Sequence, residues 1–214
     1  MTHAVEVTRG GPVADAIRAT RLIAVLRRVE PRERLLELVE QLVEDGVRVL
    51  EITMDAPSAG DDLAAVRDRL GGRDVIVGAG TVLRRGQLED ALAAGADFGV
   101  SPLLDPGMLE AALAAGLPFV PGAMTPTEVA AAWAGGATFV KLFPASAAGP
   151  AFVRELRGPL PDVQLVPTGG VDAANAAAFL EAGSAAVGIG SALTGADREA
   201  RRAIVRAVAA AGTP

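Results

Sequence analysis

The chain of 214 residues predicts an α/β fold, a (β/α)8 TIM barrel with an extra N-terminal helix. Three observations carry that expectation. First, one phrase recurs: helix end, glycine, short apolar strand. It reads Asp45-Gly46-Val47-Arg48-Val49-Leu50, Ala94-Gly95-Ala96-Asp97-Phe98, Ala115-Gly116-Leu117-Pro118-Phe119, Gly135-Gly136-Ala137-Thr138-Phe139 and Ala182-Gly183-Ser184-Ala185-Ala186. The glycines at 46, 95, 116, 136 and 183 are 49, 21, 20 and 47 residues apart, so each long interval holds two short ones. A glycine after the last helical turn supplies the left-handed cap, and a strand follows. Second, most of the strands are continuous apolar runs, as a parallel sheet covered by helices requires. Third, strand one runs into Arg27-Arg28-Val29-Glu30 without a Gly-x-Gly-x-x-Gly turn, which argues against an open doubly wound sheet.

Filling the intervals gives eight strands, at 22–26, 48–53, 74–78, 97–100, 118–121, 138–142, 163–166 and 185–189. Residues 12–20 form the extra helix, placed to close the bottom of the barrel. Pro31 opens the helix after strand one, where Leu35, Leu38, Val39 and Leu42 recur with helical spacing. Thr125-Pro126-Thr127-Glu128 and Val171-Asp172 are start signals for later helices. The whole chain, 1–214, reads as one barrel domain, with 1–11 a flexible tail.

Composition excludes several functions. Half of the residues are hydrophobic, so the chain is globular. Net charge is −6, and no basic patch offers a nucleic-acid backbone a partner. There is no cysteine, hence no disulfide framework and no thiolate chemistry. The only histidine, His3, lies in the expected tail, which removes Ser-His-Asp triads, histidine bases and most zinc sites. The N-terminus has no basic region leading into a long apolar one, so no signal peptide is expected. The longest weakly charged stretch, 111–140, is broken by Pro118, Pro121, Pro126 and Glu128 and is no membrane span. A cytoplasmic protein is the expectation.

Of 20 basic side chains only Lys141 is a lysine, and it sits inside Thr138-Phe139-Val140-Lys141-Leu142-Phe143-Pro144. Asparagine is reduced to Asn175 and tyrosine is absent, the mark of a GC-rich coding bias that turns replaceable lysines into arginines. A lysine that survives such drift points to chemistry needing an amine that can shed its proton, which a guanidinium cannot do. One survivor could equally be a solvated surface charge, but its apolar strand context favours a buried nucleophile.

Barrel chemistry belongs at the C-terminal strand ends. Read in order, those ends are Arg27; Glu51-Ile52-Thr53; Gly78-Ala79-Gly80-Thr81; Ser101-Pro102; Pro121-Gly122; Lys141-Leu142-Phe143-Pro144; Pro167-Thr168-Gly169-Gly170; and Gly188-Ile189-Gly190-Ser191. Lys141 and Glu51 therefore face one mouth. The bland reading of Glu51 is a salt bridge to Arg48. Three residues apart on a strand, however, the two side chains point to opposite faces. The glycine turns after strands seven and eight, at Gly169-Gly170 and Gly190-Ser191, are candidates for anion binding by backbone amides.

These strand-end motifs, in order and at family spacing from about residue 20 to 207, resemble the class I aldolases for 2-keto-3-deoxy-6-phosphogluconate (KDPG) and 4-hydroxy-2-oxoglutarate (KHG). The resemblance implies a homotrimer of (β/α)8 barrels that cleaves a phosphorylated keto acid to pyruvate and glyceraldehyde 3-phosphate, with neither metal nor cofactor. It implies that Lys141 forms the Schiff base and Glu51 shuttles protons. Thr81 and Pro102 then line the pyruvate pocket, Phe143 flanks it, Thr168, Gly169 and Gly170 contact substrate, and Gly190-Ser191 holds phosphate. One departure stands out. A branch of the family carries an anion-binding arginine four residues after the glutamate; here that position is Asp55, which would repel an anion. In a second branch the strand-one arginine, matching Arg27, takes the anion, with Arg28 a possible substitute. Galactonate-type relatives tend to carry valine where this chain has Thr168, so the gluconate epimer is expected. The alternatives are an aldolase for another 2-keto-3-deoxy sugar acid, a phosphosugar epimerase or isomerase on the same barrel, and a non-catalytic binding barrel.

Overall fold

A computed structural model describes Arg9 and residues 11–211. Of the expected tail only Arg9 and Gly11 are thus described, and His3 lies outside. Arg9 is tied down: its guanidinium stacks 3.5 Å from the Trp133 ring centroid and donates to the carbonyls of Ala137 and Trp133.

Helices and strands alternate. The order is α1 (Pro12–Thr20), β1 (Leu22–Leu26), α2 (Arg32–Glu44), β2 (Val49–Thr53), α3 (Ala59–Leu70), β3 (Ile76–Gly80), α4 (Arg85–Ala93), β4 (Gly99–Val100) and α5 (Pro106–Ala114). It continues with β5 (Phe119–Val120), β6 (Gly122–Ala123), α6 (Pro126–Ala134), β7 (Val140–Leu142), α7 (Ala145–Arg157), β8 (Leu165–Pro167), α8 (Ala176–Glu181), β9 (Val187–Ile189), α9 (Ser191–Thr194) and α10 (Arg198–Ala210). Every ladder is parallel. One sheet runs β5-β4-β3-β2-β1-β9 and the other β6-β7-β8. The α/β class with parallel strands stands as predicted.

The repeated glycine phrase explains where strands begin. Gly46, Gly95, Gly116, Gly136 and Gly183 all have positive φ, between 75° and 103°. The residue after each donates back into the helix just ended: Val47 to Leu42, Ala96 to Ala91, Leu117 to Ala112, Ala137 to Ala132 and Ser184 to Phe179. This is the six-to-one bond of a Schellman cap. The residue that follows the glycine is therefore committed to the cap, and several strands start later than predicted: 140 against 138, and 187 against 185.

The expected fifth strand, 118–121, is divided. Pro121 has no N–H for a ladder. Before it β5 pairs with β4; after it β6 pairs with β7, so this segment passes from one sheet to the other. At the far edge a parallel bridge joins Thr168 to Gly188. Helix starts follow the sequence at Thr125, whose hydroxyl accepts from the Glu128 N–H while the Glu128 carboxylate accepts from the Thr125 N–H. They do not at Asp172. That residue builds a turn, accepting from the Ala174 N–H at 2.8 Å, and α8 begins only after Asn175.

The helices pack on the outer face of the sheets, where Leu35, Leu38, Val39 and Leu42 are buried as their spacing predicts. A second cluster lies on the inner face. Ala14 and Ile17 of α1 meet Ile23, Val49, Phe98, Val100, Val120, Phe139, Val166 and Ala186 from both sheets. Burial of each large side chain there contributes about 2–3 kcal/mol. Strand alternation then dictates what comes next on that face. Two residues beyond Ile23, Val49, Phe139 and Val166 stand Val25, Glu51, Lys141 and Thr168. One step nearer the C-terminal strand ends, the inner face thus carries Glu51, Lys141 and Thr168 among its apolar residues.

Candidate active site

A cleft of about 550 Å³ opens at those strand ends. Arg27, Thr81, Pro102, Lys141, Phe143, Thr168, Gly169, Gly170, Gly190 and Ser191 line it. Every site residue named from the sequence except Glu51 is thus on its wall. Val25, Val171, Asp172 and Ala192 line it too; the sequence named none of them as a site residue, and Val171-Asp172 only as a helix start.

Glu51 lies behind the wall beside Lys141, and the two are 2% and 3% exposed. The Lys141 amine lies 3.9 Å from Glu51 Oε1, beyond direct hydrogen-bond length but within reach of an ion pair. It also stands 5.3 Å from the centroid of the Phe143 ring, a cation–π distance. Oε1 has no hydrogen-bond partner among the described residues. Leaving a buried acceptor unsatisfied costs about 1–3 kcal/mol, and a group held that way calls for a functional explanation. The neighbouring strand makes room for it: a Cβ on Gly80 would overlap the carboxylate. Arg48 is not its partner, since that guanidinium donates to the Val43 and Val47 carbonyls.

The rim is organised by Thr81. It follows Gly80 in the left-handed region, φ 56°, a strained conformation for a β-branched residue and of the kind that clusters at functional sites. Its hydroxyl accepts a hydrogen bond from Arg27 at 3.1 Å. Arg27 also pairs with Asp55 Oδ2 at 2.8 Å, and Arg28 Nε approaches the same oxygen at 3.3 Å. Arg28 reaches it because its own φ of 47° turns the chain where β1 has ended. Asp55, which the sequence reading expects to repel an anion, is met by two guanidiniums. Burial pushes the Asp55 carboxyl up, but the Thr53 hydroxyl and the Arg27 charge outweigh it, and the carboxyl titrates below the usual range. Arg27 is in the cleft; Arg28 faces the adjoining one.

On the opposite wall the Thr168 hydroxyl bonds its neighbour's carbonyl, Val166, at 3.2 Å and packs where Gly188 has no side chain. Gly169 and Gly170 have φ of 89° and 77°. The Phe143 ring lies 3.0 Å from where a Gly169 Cβ would be. The two glycines form a turn rather than the start of a helix, because α8 begins six residues later than Gly170. Gly190 and Ser191 bring the start of α9 to the same wall. Among the described residues no acidic or histidine cluster could hold a metal ion.

Parallel architecture, cleft and buried amine–carboxylate pair together define the class, an aldolase of the α/β type. The model for the family "Aldolase: KDPG and KHG aldolase" matches residues 13–207, and the chain belongs to that family. The 2-dehydro-3-deoxy-6-phosphogalactonate aldolase of Escherichia coli K12 is 33% identical over 88% of this chain and 91% of its own length. The 2-dehydro-3-deoxy-phosphogluconate aldolase of Treponema pallidum is 36% identical over 78% of this chain and 79% of its own. The KDPG aldolase of Legionella pneumophila, solved with pyruvate captured as a covalent carbinolamine, superposes with TM-score 0.81 at 28% identity, covering 95% of this chain and 100% of that one.

Proposed function

We propose that this protein is a Schiff-base aldolase cleaving 2-keto-3-deoxy-6-phosphogluconate to pyruvate and glyceraldehyde 3-phosphate, with 4-hydroxy-2-oxoglutarate as a second substrate. The observation that carries the reading is the buried Lys141 amine, on the cleft wall, 3.9 Å from a Glu51 oxygen that has no hydrogen-bond partner among the described residues.

The neutral amine of Lys141 adds to the C2 ketone to give a carbinolamine. Loss of water gives the iminium, which draws electrons toward nitrogen. Glu51, directly or through a water, takes the proton of the C4 hydroxyl; the C3–C4 electron pair then passes into the iminium, leaving an enamine and the free aldehyde. Glu51 returns a proton to the enamine carbon, and hydrolysis releases pyruvate and the amine. Thr81, Pro102 and Phe143 shape the pyruvate end. Arg27 takes the substrate carboxylate, and Thr168, Gly169 and Gly170 contact the sugar chain. The amides of Gly190 and Ser191 meet the phosphate. Thr168 favours the gluconate epimer.

In this reading the nine short strands are the eight staves of a closed (β/α)8 barrel, β5 and β6 being one stave broken at Pro121, with α1 as its base. The split pairing of that segment and the Thr168–Gly188 bridge support it. A homotrimer and a cytoplasmic location complete the proposal. Among the described residues, no helix is long and apolar enough to cross a membrane.

Borohydride reduction in the presence of pyruvate tests the chemistry. A pyruvyl adduct on Lys141 is expected, and none in Lys141→Arg. A protein that cleaves KDPG without forming the adduct would sink the covalent route.

A further inference from the structure

Asp55 touches neither Lys141 nor Glu51, and by charge alone it is the wrong residue beside an anion site. Its contacts say otherwise. Arg27 is a long side chain at a strand end, half exposed, and on its own such a side chain spreads over many rotamers. Here it is fixed at two points: Asp55 Oδ2 at 2.8 Å and Thr81 Oγ1 at 3.1 Å. Asp55 is far better buried than the arginine it holds. It is 19% exposed, and its own backbone carbonyl accepts from Arg28 at 2.9 Å. Arg27, Thr81 and Lys141 line one cleft, so the guanidinium held between Asp55 and Thr81 shares that space with the amine. A guanidinium has five N–H donors; these two contacts leave donors free for a planar, two-oxygen anion. Two arginines meet one aspartate, so this cluster itself carries a net positive charge.

We infer that Asp55 is a positioning residue: it holds Arg27 against Thr81 so that the guanidinium meets the carboxylate of a 2-keto acid already ordered. The inference rests on the proposed Schiff-base reading. Ordering a side chain before the ligand arrives lowers the free energy that binding must supply, so the effect belongs to affinity for a carboxylate and not to the bond-making step.

Pyruvate is the right probe, because it carries a carboxylate and no phosphate. Borohydride trapping on Lys141 is measured against pyruvate concentration in the wild type, Asp55→Asn, Arg27→Gln and the double variant, with the melting temperature of each. The half-saturating pyruvate concentration should rise about tenfold in Asp55→Asn, while maximal trapping falls less than about twofold. The double variant should lose no more affinity than Arg27→Gln alone, since Asp55 acts through Arg27. Wild-type trapping with an unchanged or lower half-saturation in Asp55→Asn overturns the inference and leaves the aldolase standing. Losses that add in the double variant, or a fall in melting temperature with affinity intact, overturn it as well. No trapping in the wild type overturns the functional reading and this inference with it.

Discussion

Gly80 lies diagonally across the β2–β3 ladder from Glu51, two residues beyond its register partner Gly78, and any side chain on Gly80 would occupy the space of the Glu51 carboxylate. The glycine is there for volume, since Gly80 is absent from the positions with positive φ. Gly80→Ala should therefore displace Glu51. We expect a stability loss of about 1–3 kcal/mol from overpacking, measured by denaturant unfolding. Cleavage should fall further than stability accounts for. Parental turnover in a folded Gly80→Ala protein would show that the carboxylate need not stand where it does.

Glu51→Gln keeps the size of the side chain and removes its capacity to take a proton. Turnover should fall by about 10²–10⁴, the ordinary weight of general acid–base catalysis. Pyruvate should still be trapped on Lys141, although more slowly. Turnover and trapping lost together would assign Glu51 to holding the lysine rather than to moving protons.

Asp45 supplies an acid limb to stability. Its side chain is buried between Arg198, Arg201 and Arg202, at 3.1, 3.2 and 2.7 Å. Burial pushes its carboxyl up, but hydrogen bonds from Arg202, Arg201 and Arg198 outweigh that and hold it below the ordinary value. A depressed carboxyl contributes its stabilisation in full above the unfolded value, near 4, and loses it as pH falls through the folded one. Stability should therefore decline on acidification below about pH 4–5 with a slope that Asp45→Asn reduces. At neutral pH Asp45→Ala should cost about 3–5 kcal/mol, because it leaves buried Arg201 without its carboxylate. An unchanged acid limb in Asp45→Asn would place the pH dependence elsewhere.

Thr168→Val exchanges a hydroxyl for a methyl of nearly equal size. Among the described residues that hydroxyl donates to the Val166 carbonyl, within its own strand end. We expect the ratio of kcat/KM for the gluconate and galactonate epimers to shift toward galactonate. Identical ratios in the two proteins would remove Thr168 from stereocontrol.

The sequence by itself determined the class of fold, five glycine caps and one capping box, and it pointed to Lys141 and Glu51. Each rests on a signal that survives without tertiary contacts: five glycines in left-handed caps, a lysine and a glutamate stranded in apolar runs, a Thr-x-x-Glu capping box. Those are local facts, because a cap or a strand period is decided by neighbours within a few residues. The tertiary structure decided the rest. Pro121 lacks a ladder N–H by its chemistry, but that β5 before it and β6 after it pair in different sheets is decided by the fold. Asp172 reads as a helix cap but spends its carboxylate on a turn, since the two glycines before it must first reverse the chain at the cleft. Asp55 reads as a repulsive charge until folding sets Arg27 and Arg28 against it. Whether a charge repels or positions depends on what stands 3 Å from it, and that is a property of the folded chain.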